Sequence, residues 1–168
     1  VQGSIATASE TDILINIENV STGSGNDNFT SSDSDNNELD ANGGTDTVII
    51  NNGSGTITLN RTSLALATIN DSGGGIGSDT LRDFEFINVS GSSNNDTFVV
   101  TDDQNNEFNG LGGTDTISYA STASPMTVTI TSSSAVVDGT GIGTDTLFNI
   151  EEIFTGTDAD IFDITGNL

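Results

Sequence analysis

The sequence predicts an all-β chain, a parallel β-solenoid in which short strands from successive turns pair with one another. Three observations carry this. A motif of about ten residues appears three times at near-constant long spacing, the mark of a repeat architecture. Threonine alternates with aliphatic residues in the stretches between, as at Thr56-Ile57-Thr58-Leu59 and Thr127-Val128-Thr129-Ile130, a period of two that suits half-buried strands. No stretch has a helical period, the short Ser63–Ala67 run being equally readable as strand.

The long repeat opens at Thr11-Asp12-Ile13-Leu14 and continues through Ile17 to Val20. It returns at Ser78-Asp79-Thr80-Leu81 with Phe84 and Ile87, then at Thr144-Asp145-Thr146-Leu147 with Ile150 and Ile153. In each copy an aspartate precedes apolar residues two, five and eight places on, and the aspartates lie 67 and 66 positions apart. About two and a half units follow, at residues 9–75, 76–141 and 142–168 of one continuous segment. Each turn of such a stack is unable to bury its apolar face alone.

After each opening comes a glycine- and aspartate-bearing loop: Thr22–Phe29, Gly91–Phe98 and Thr155–Phe162, each keeping an aspartate (Asp27, Asp96, Asp160) two places before a phenylalanine. A second loop follows an Asn-Glu-apolar step in the first two units, Gly43-Gly44-Thr45-Asp46-Thr47-Val48 and Gly112-Gly113-Thr114-Asp115-Thr116-Ile117. Asp27 to Asp46 and Asp96 to Asp115 are both 19 positions, room for one turn with a loop on each side. Asp12 to Asp27 is 15, Asp79 to Asp96 is 17 and Asp145 to Asp160 is 15, so these pairs are also expected one turn apart. The remainder of each unit, about 30 residues after Asp46 and after Asp115, varies in length and carries turn residues at Asn52-Gly53-Ser54-Gly55 and Ser124-Pro125,.

Gly74-Gly75-Ile76-Gly77-Ser78-Asp79-Thr80-Leu81-Arg82 is a complete nonapeptide of the form G-G-x-G-x-D-x-U-x, a calcium-binding β-helix repeat. Glycines let several carbonyls face one ion, the aspartate adds charge, and the apolar residue anchors the next strand. Calcium takes about six to eight oxygens, so one loop supplies part of a shell and a stacked neighbour the rest. The competing reading is that these are Asx-type turns, each aspartate capping its own backbone without metal.

Composition agrees with a cation partner. Twenty-five Asp and Glu face two arginines, with no lysine or histidine, for a formal charge of -23. Such a field repels nucleic acid and anionic membranes and attracts cations. Absence of His, Cys and Lys removes the common acid–base and nucleophilic arrangements,, and carboxylates that recur in every loop do not make the single pair of a glycosidase; the expectation is no enzyme. No apolar run approaches the length of about 18 residues that a membrane span needs, and no charged leader with an apolar stretch opens the chain. The chain is expected to be a segment of a longer polypeptide.

These motifs resemble the RTX (repeats-in-toxin) family of hemolysin-type calcium-binding repeats over nearly the whole chain, most closely the divergent long-unit repeats of very large bacterial surface proteins. The resemblance implies a right-handed parallel β-roll, secretion to the bacterial cell surface, and folding on meeting extracellular calcium. It implies Ca2+ ligation around Asp27, Asp46, Asp79, Asp96, Asp115, Asp145 and Asp160, with loop glycines Gly23, Gly25, Gly43, Gly44, Gly75, Gly77, Gly112, Gly113, Gly141 and Gly143. Few consecutive complete nonapeptides occur, so an uninterrupted ladder of ions is not expected. The leading functional expectation is a calcium-binding structural segment of a rod, filament or surface layer, its partners calcium and copies of itself or neighbouring repeats end to end. The alternative is an accessory carbohydrate-binding or adhesin module on surface glycans. With no Trp, only Tyr119, and eight phenylalanines mostly at repeat core positions, the structural reading leads.

Overall fold

The computed structural model describes residues 3–4, 18–31, 34–51 and 53–165; Asp12, Leu14, Ile17 and Asn52 lie outside them. The described chain is all-β. Its strands are β1 (Gly3–Ser4), β2 (Asn19–Ser21), β3 (Asn28–Ser31), β4 (Glu38–Asp40), β5 (Thr47–Ile50), β6 (Ile57–Ser63), β7 (Leu66–Asp71), β8 (Ser78–Arg82) and β9 (Phe86–Ser90). They continue as β10 (Thr97–Val100), β11 (Glu107–Asn109), β12 (Thr116–Ser118), β13 (Met126–Ile130), β14 (Ala135–Gly139), β15 (Gly143–Phe148), β16 (Glu152–Phe154) and β17 (Ile161–Ile164).

Two open, mixed sheets result. One has nine strands in the order β1-β2-β4-β8-β7-β6-β10-β12-β16, the other eight in the order β17-β13-β14-β15-β11-β9-β5-β3. Outside two inserts the chain passes from one sheet to the other with every short strand, as β2, β3, β4 and β5 do. A strand of three to five residues buries too little to stand alone, so outside the inserts each lies parallel on an earlier strand of its sheet, the preceding one except for β10 on β6 and β17 on β13. The 19-residue spacing is the register of this pairing: Asn28 opposes Thr47, Thr97 opposes Thr116, and Asn88 opposes Glu107.

The variable spacers follow a different path. Each holds a three-stranded antiparallel meander, β6-β7-β8 in the nine-stranded sheet and β13-β14-β15 in the other. The alternating stretches predicted as strands are the first arms, β6 and β13, while Ser63–Ala67 holds the end of β6, a turn and the start of β7. At the second insert a side chain shapes the turn: Thr131 Oγ1 accepts the Ser134 N–H at 3.1 Å, a local turn typical of Ser and Thr. Purely parallel pairing therefore fails in the spacers, which are long enough for each strand to turn back on itself. After each meander the chain resumes beside the turn it left, β8 on β4 and β15 on β11.

Inward positions alternate along the internal strands and join one core, while all four residues of β17 are exposed. Val48, Ile50, Ile57, Leu59, Phe98, Val100, Phe108, Ile117 and Val128 are buried within it. Of the apolar triplets read from the long repeat, Leu81, Phe84 and Ile87 are buried, Leu147 is buried, and Ile150 and Ile153 are partly buried at the far end. Aromatic contacts cross between passes, Phe29 edge-on to Phe84 at 5.1 Å and Phe98 beside Phe108 at 5.3 Å.

Candidate functional site

Four of the seven repeat aspartates occupy one local construction. Asp46 Oδ1 accepts the Asp27 N–H at 2.7 Å, while one residue earlier the Thr45 N–H donates back to Asn26 Oδ1 at 3.0 Å. The same reciprocal pair joins Asp115 to Asp96 N (2.8 Å) and Thr114 N to Asn95 Oδ1 (3.0 Å). It joins Asp79 to Asn37 N (2.9 Å) and Ser78 N to Asn36 Oδ1 (2.8 Å). It also joins Asp145 to Asn106 N (2.8 Å) and Thr144 N to Asn105 Oδ1 (2.8 Å). A Gly-[Thr/Ser]-Asp tripeptide thus clasps an x-Asn-[Asp/Asn] tripeptide of the adjoining pass, satisfying backbone donors where strands end and no ladder can.

The clasp explains its glycines. Gly77 and Gly143 lie at φ +69 and +67, and Gly44 and Gly113 at +152 and +130. At each, a Cβ would drive into the backbone carbonyl that precedes the clasped asparagine: Asp35, Gln104, Gly25 and Asn94. Only a residue without a Cβ permits this approach. Gly141 has positive φ but open space, and Gly23, Gly25 and Gly43 likewise have nothing within 4 Å of an added Cβ. Gly43 N–H meets Gly23 O at 3.4 Å and Gly112 N–H meets Ser92 O at 3.2 Å, again linking adjoining passes.

Gly75 has a different role. In the complete nonapeptide, the glycine turn wraps not Asp79 but Asp71, whose carboxylate accepts the N–H groups of Ser54, Gly55, Gly73, Gly75 and Ile76 at 2.7–3.3 Å. Burial pushes the Asp71 carboxyl up, but these backbone donors outweigh it and hold it below the ordinary range,.

The remaining aspartates extend the same logic. Asp96 Oδ1 accepts the Ile57 N–H at 2.6 Å and its Oδ2 the Ser92 N–H at 2.7 Å, and Asp160 Oδ1 accepts the Met126 N–H at 3.0 Å. Glutamates of the long repeat continue the column: Glu85 accepts the Asp46 N–H at 2.6 Å and Glu151 the Asp115 N–H at 2.8 Å. The expected stacks of Asp27 with Asp46 and Asp96 with Asp115 correspond to real contacts. Asp79 and Asp96 instead join different passes, Asp79 binding Asn37 and Asp96 binding Ile57, because the first meander separates them. The second meander parts Asp145 from Asp160 in the same way, the former on Asn106 and the latter on Met126.

Carboxylate chemistry divides the other six from one another, Asp160 being held through Oδ1. Asp79 and Asp145 have both oxygens engaged: Asp79 Oδ2 by the Ser31 hydroxyl at 2.9 Å, and Asp145 Oδ2 by the Tyr119 hydroxyl at 2.8 Å. Asp96 is bonded through both oxygens as well. By contrast Asp27 Oδ2, Asp46 Oδ2 and Asp115 Oδ2 are buried oxygens without a hydrogen-bond partner. Burial, with the charges of Glu85, Asp27 and Asp83 around it, raises the Asp46 carboxyl; burial, with Asp96 and Glu151, raises Asp115. Buried acceptors that lack a donor, amid like charges, suit a hard cation. Among the described residues no group of three acidic side chains is placed to hold a metal ion, so calcium at these two clasps would have to draw the rest of its shell from backbone carbonyls.

A second polar cluster lies inside the core. Arg61, fully buried, pairs through Nε with Asp102, donates from Nη1 to Asn106 Oδ1 at 2.9 Å and from Nη2 to Phe84 O at 2.5 Å. Asn106 Nδ2 donates on to Asp145 Oδ1 at 3.0 Å. Burial pushes the Asp145 carboxyl up to about 7, and burial beside Asp145 drives the Tyr119 hydroxyl well above its ordinary range.

Sequence reasoning missed Asn26, Asn36, Asn95, Asn105, Glu85 and Glu151. Their signal was present: each of those asparagines immediately precedes Asp or Asn at a repeat position, and a glutamate stands six places after each opening aspartate. No family model matches the chain, and no curated protein matches it. The likeness to calcium-binding repeats therefore rests on motif positions within this chain.

Proposed function

We propose that this chain is a calcium-stabilised structural repeat segment of a secreted bacterial surface protein, a right-handed parallel β-roll or solenoid interrupted by two antiparallel inserts and serving in a rod, filament or surface layer. The observation that carries this is the repetition of the Gly-[Thr/Ser]-Asp clasp at four places: the side chains in register serve to join one pass to the next, which is what a load-carrying stack needs. Calcium enters at the clasps of Asp27 with Asp46 and of Asp96 with Asp115, where orphaned buried oxygens await a counter-charge. Bound there, the ion neutralises carboxylates and ties adjoining passes together. Because that arrangement exists only in the folded chain, binding energy becomes folding energy, and the self-repulsion of a -23 chain falls,.

Calorimetric titration with calcium tests this. Saturable binding at about 10⁻⁴–10⁻³ M is expected, the range of extracellular calcium modules. Asp46→Asn and Asp115→Asn should each remove part of the heat, and Asp145→Asn, whose oxygens are already engaged, should remove none. Equal loss from all three variants would contradict the assignment of sites.

A further inference from the structure

One end of the stack is unlike its internal copies. Asp160–Phe162 repeats Asp96–Phe98 and Asp27–Phe29, and β17 lies on β13 as β10 lies on β6, Phe162 opposite Val128 and Phe98 opposite Leu59. Within the molecule β10 is covered on its other edge by β12, and its neighbour β9 by β11. Phe98 and Val100 are then 0% exposed, whereas Phe162 and Ile164 at the corresponding places of β17 are 52% and 55% exposed. Among the described residues both β16 and β17 are sheet edges, and Ile153 of β16 is only partly buried. Behind this face opens a cavity of about 480 Å³ lined by Ile130, Leu147 and Phe162 together with polar residues such as Ser132, Asn149 and Glu151. An apolar face flanked by two unpaired strand edges is a docking surface for added strands.

We infer that this end face binds a repeat segment of the kind that forms β11 and β12, entering as two parallel strands joined by a Gly-[Ser/Thr]-Asp turn. The inference rests on the stacked-repeat reading above, and its template is the covered internal copy. An Asn-Glu-apolar strand pairs with β16 as β11 pairs with β9. A Thr-apolar strand pairs with β17 as β12 pairs with β10 and sets its apolar side chain over Phe162. The aspartate of the turn takes the Asp160 N–H as Asp115 takes that of Asp96. Two departures mark this end. Ala159 stands where Asn26 and Asn95 supply the return bond, so only one half of the clasp forms. Ile130 stands opposite Ile164 where Arg61 stands opposite Val100, so the pair at that place is wholly apolar here.

The probe is a synthetic peptide of residues 104–119, fluorescently labelled and titrated with the full chain. Saturable one-to-one binding is expected, weakened at least tenfold by Phe162→Asp in the protein and by Ile117→Asp in the peptide. Phe162 is exposed, so its variant should keep the native far-UV circular dichroism spectrum; Ile161→Asp on the outward side of the same strand is the control that should bind normally. Absence of binding, or binding unaffected by both substitutions, would overturn the inference. So would dimerisation of the chain alone that Phe162→Asp abolishes, since the face would then belong to a second copy. The titration is run in calcium, where the chain is folded whether or not it holds the ion, so its failure is distinct from failure of the calcium reading, which the response to EGTA reports.

Discussion

Gly141 and Gly143 form a matched pair for testing the clasp. Both have positive φ, +85 and +67, but a Cβ on Gly141 meets nothing within 4 Å, whereas one on Gly143 lies 2.5 Å from Gln104 O and 2.8 Å from Asp103 O. Gly141→Ala therefore carries only the cost of a left-handed alanine, about 1–2 kcal/mol. Gly143→Ala carries that cost and also pushes the adjoining pass away. It strains the bonds from Thr144 N to Asn105 Oδ1 and from Asn106 N to Asp145 Oδ1, both 2.8 Å, each with a net value of about 1 kcal/mol. A total of about 3–4 kcal/mol follows for Gly143→Ala. Urea denaturation of the two variants measures the difference directly, provided the slope is unchanged. Gly74 and Gly77 offer the same contrast, φ +76 in open space and φ +69 against Asp35 O. Equal destabilisation within about 0.5 kcal/mol, inside the spread of ordinary surface substitutions, would refute the claim that close approach of neighbouring passes selects these glycines.

Three further outcomes are expected. Asp145 has its carboxyl raised to about 7 by burial, above an unfolded value near 3.9; the folded state therefore holds the proton longer, and stability falls as pH rises from about 4 to about 7, by roughly 4 kcal/mol in total. Asp145→Asn, measured in saturating calcium, should flatten that slope and leave the protein more stable than the parent at pH 8. Removing the buried cation in Arg61→Met leaves Asp102 unpaired and should cost about 3–5 kcal/mol in chemical denaturation, with much of the loss recovered in Arg61→Met combined with Asp102→Leu. Leu111, exposed and held at φ +68 where the preceding unit has Asn42 at φ +61, should gain about 0.5–1 kcal/mol on replacement by Gly, seen as a raised Tm.

The β content and the parallel register were legible because both are periodic. A 19-residue spacing that recurs with the same flanking residues has little meaning except strands stacked one turn apart, and β3 on β5 and β10 on β12 follow it. The meanders were not legible, because alternation at Thr56–Leu59 marks a strand without marking its direction. Direction is decided by whether the chain turns at Leu64–Ala65 or crosses to the other sheet, and local sequence resolves that choice weakly. At the loops, aspartate and glycine positions were readable but their task was not. Glycine at position 77 reads alike whether it wraps an ion or admits a neighbouring carbonyl, and only the placement of Asp35 beside it separates the two. The asparagines escaped notice because their partners are 19 to 42 residues away, beyond what a motif of nine residues contains.

The most direct test of the account is the far-UV circular dichroism spectrum of the full chain in EGTA, then with calcium restored, against sodium at matched ionic strength. Loss of ordered β signal in EGTA, with recovery in calcium and not in sodium, is the expected result if the buried oxygens at Asp27, Asp46 and Asp115 are held by a bound cation as proposed and not merely by a screened field. A spectrum unchanged by EGTA, or equal recovery in sodium, would contradict the calcium claim and leave the clasps as purely side-chain-to-backbone joints.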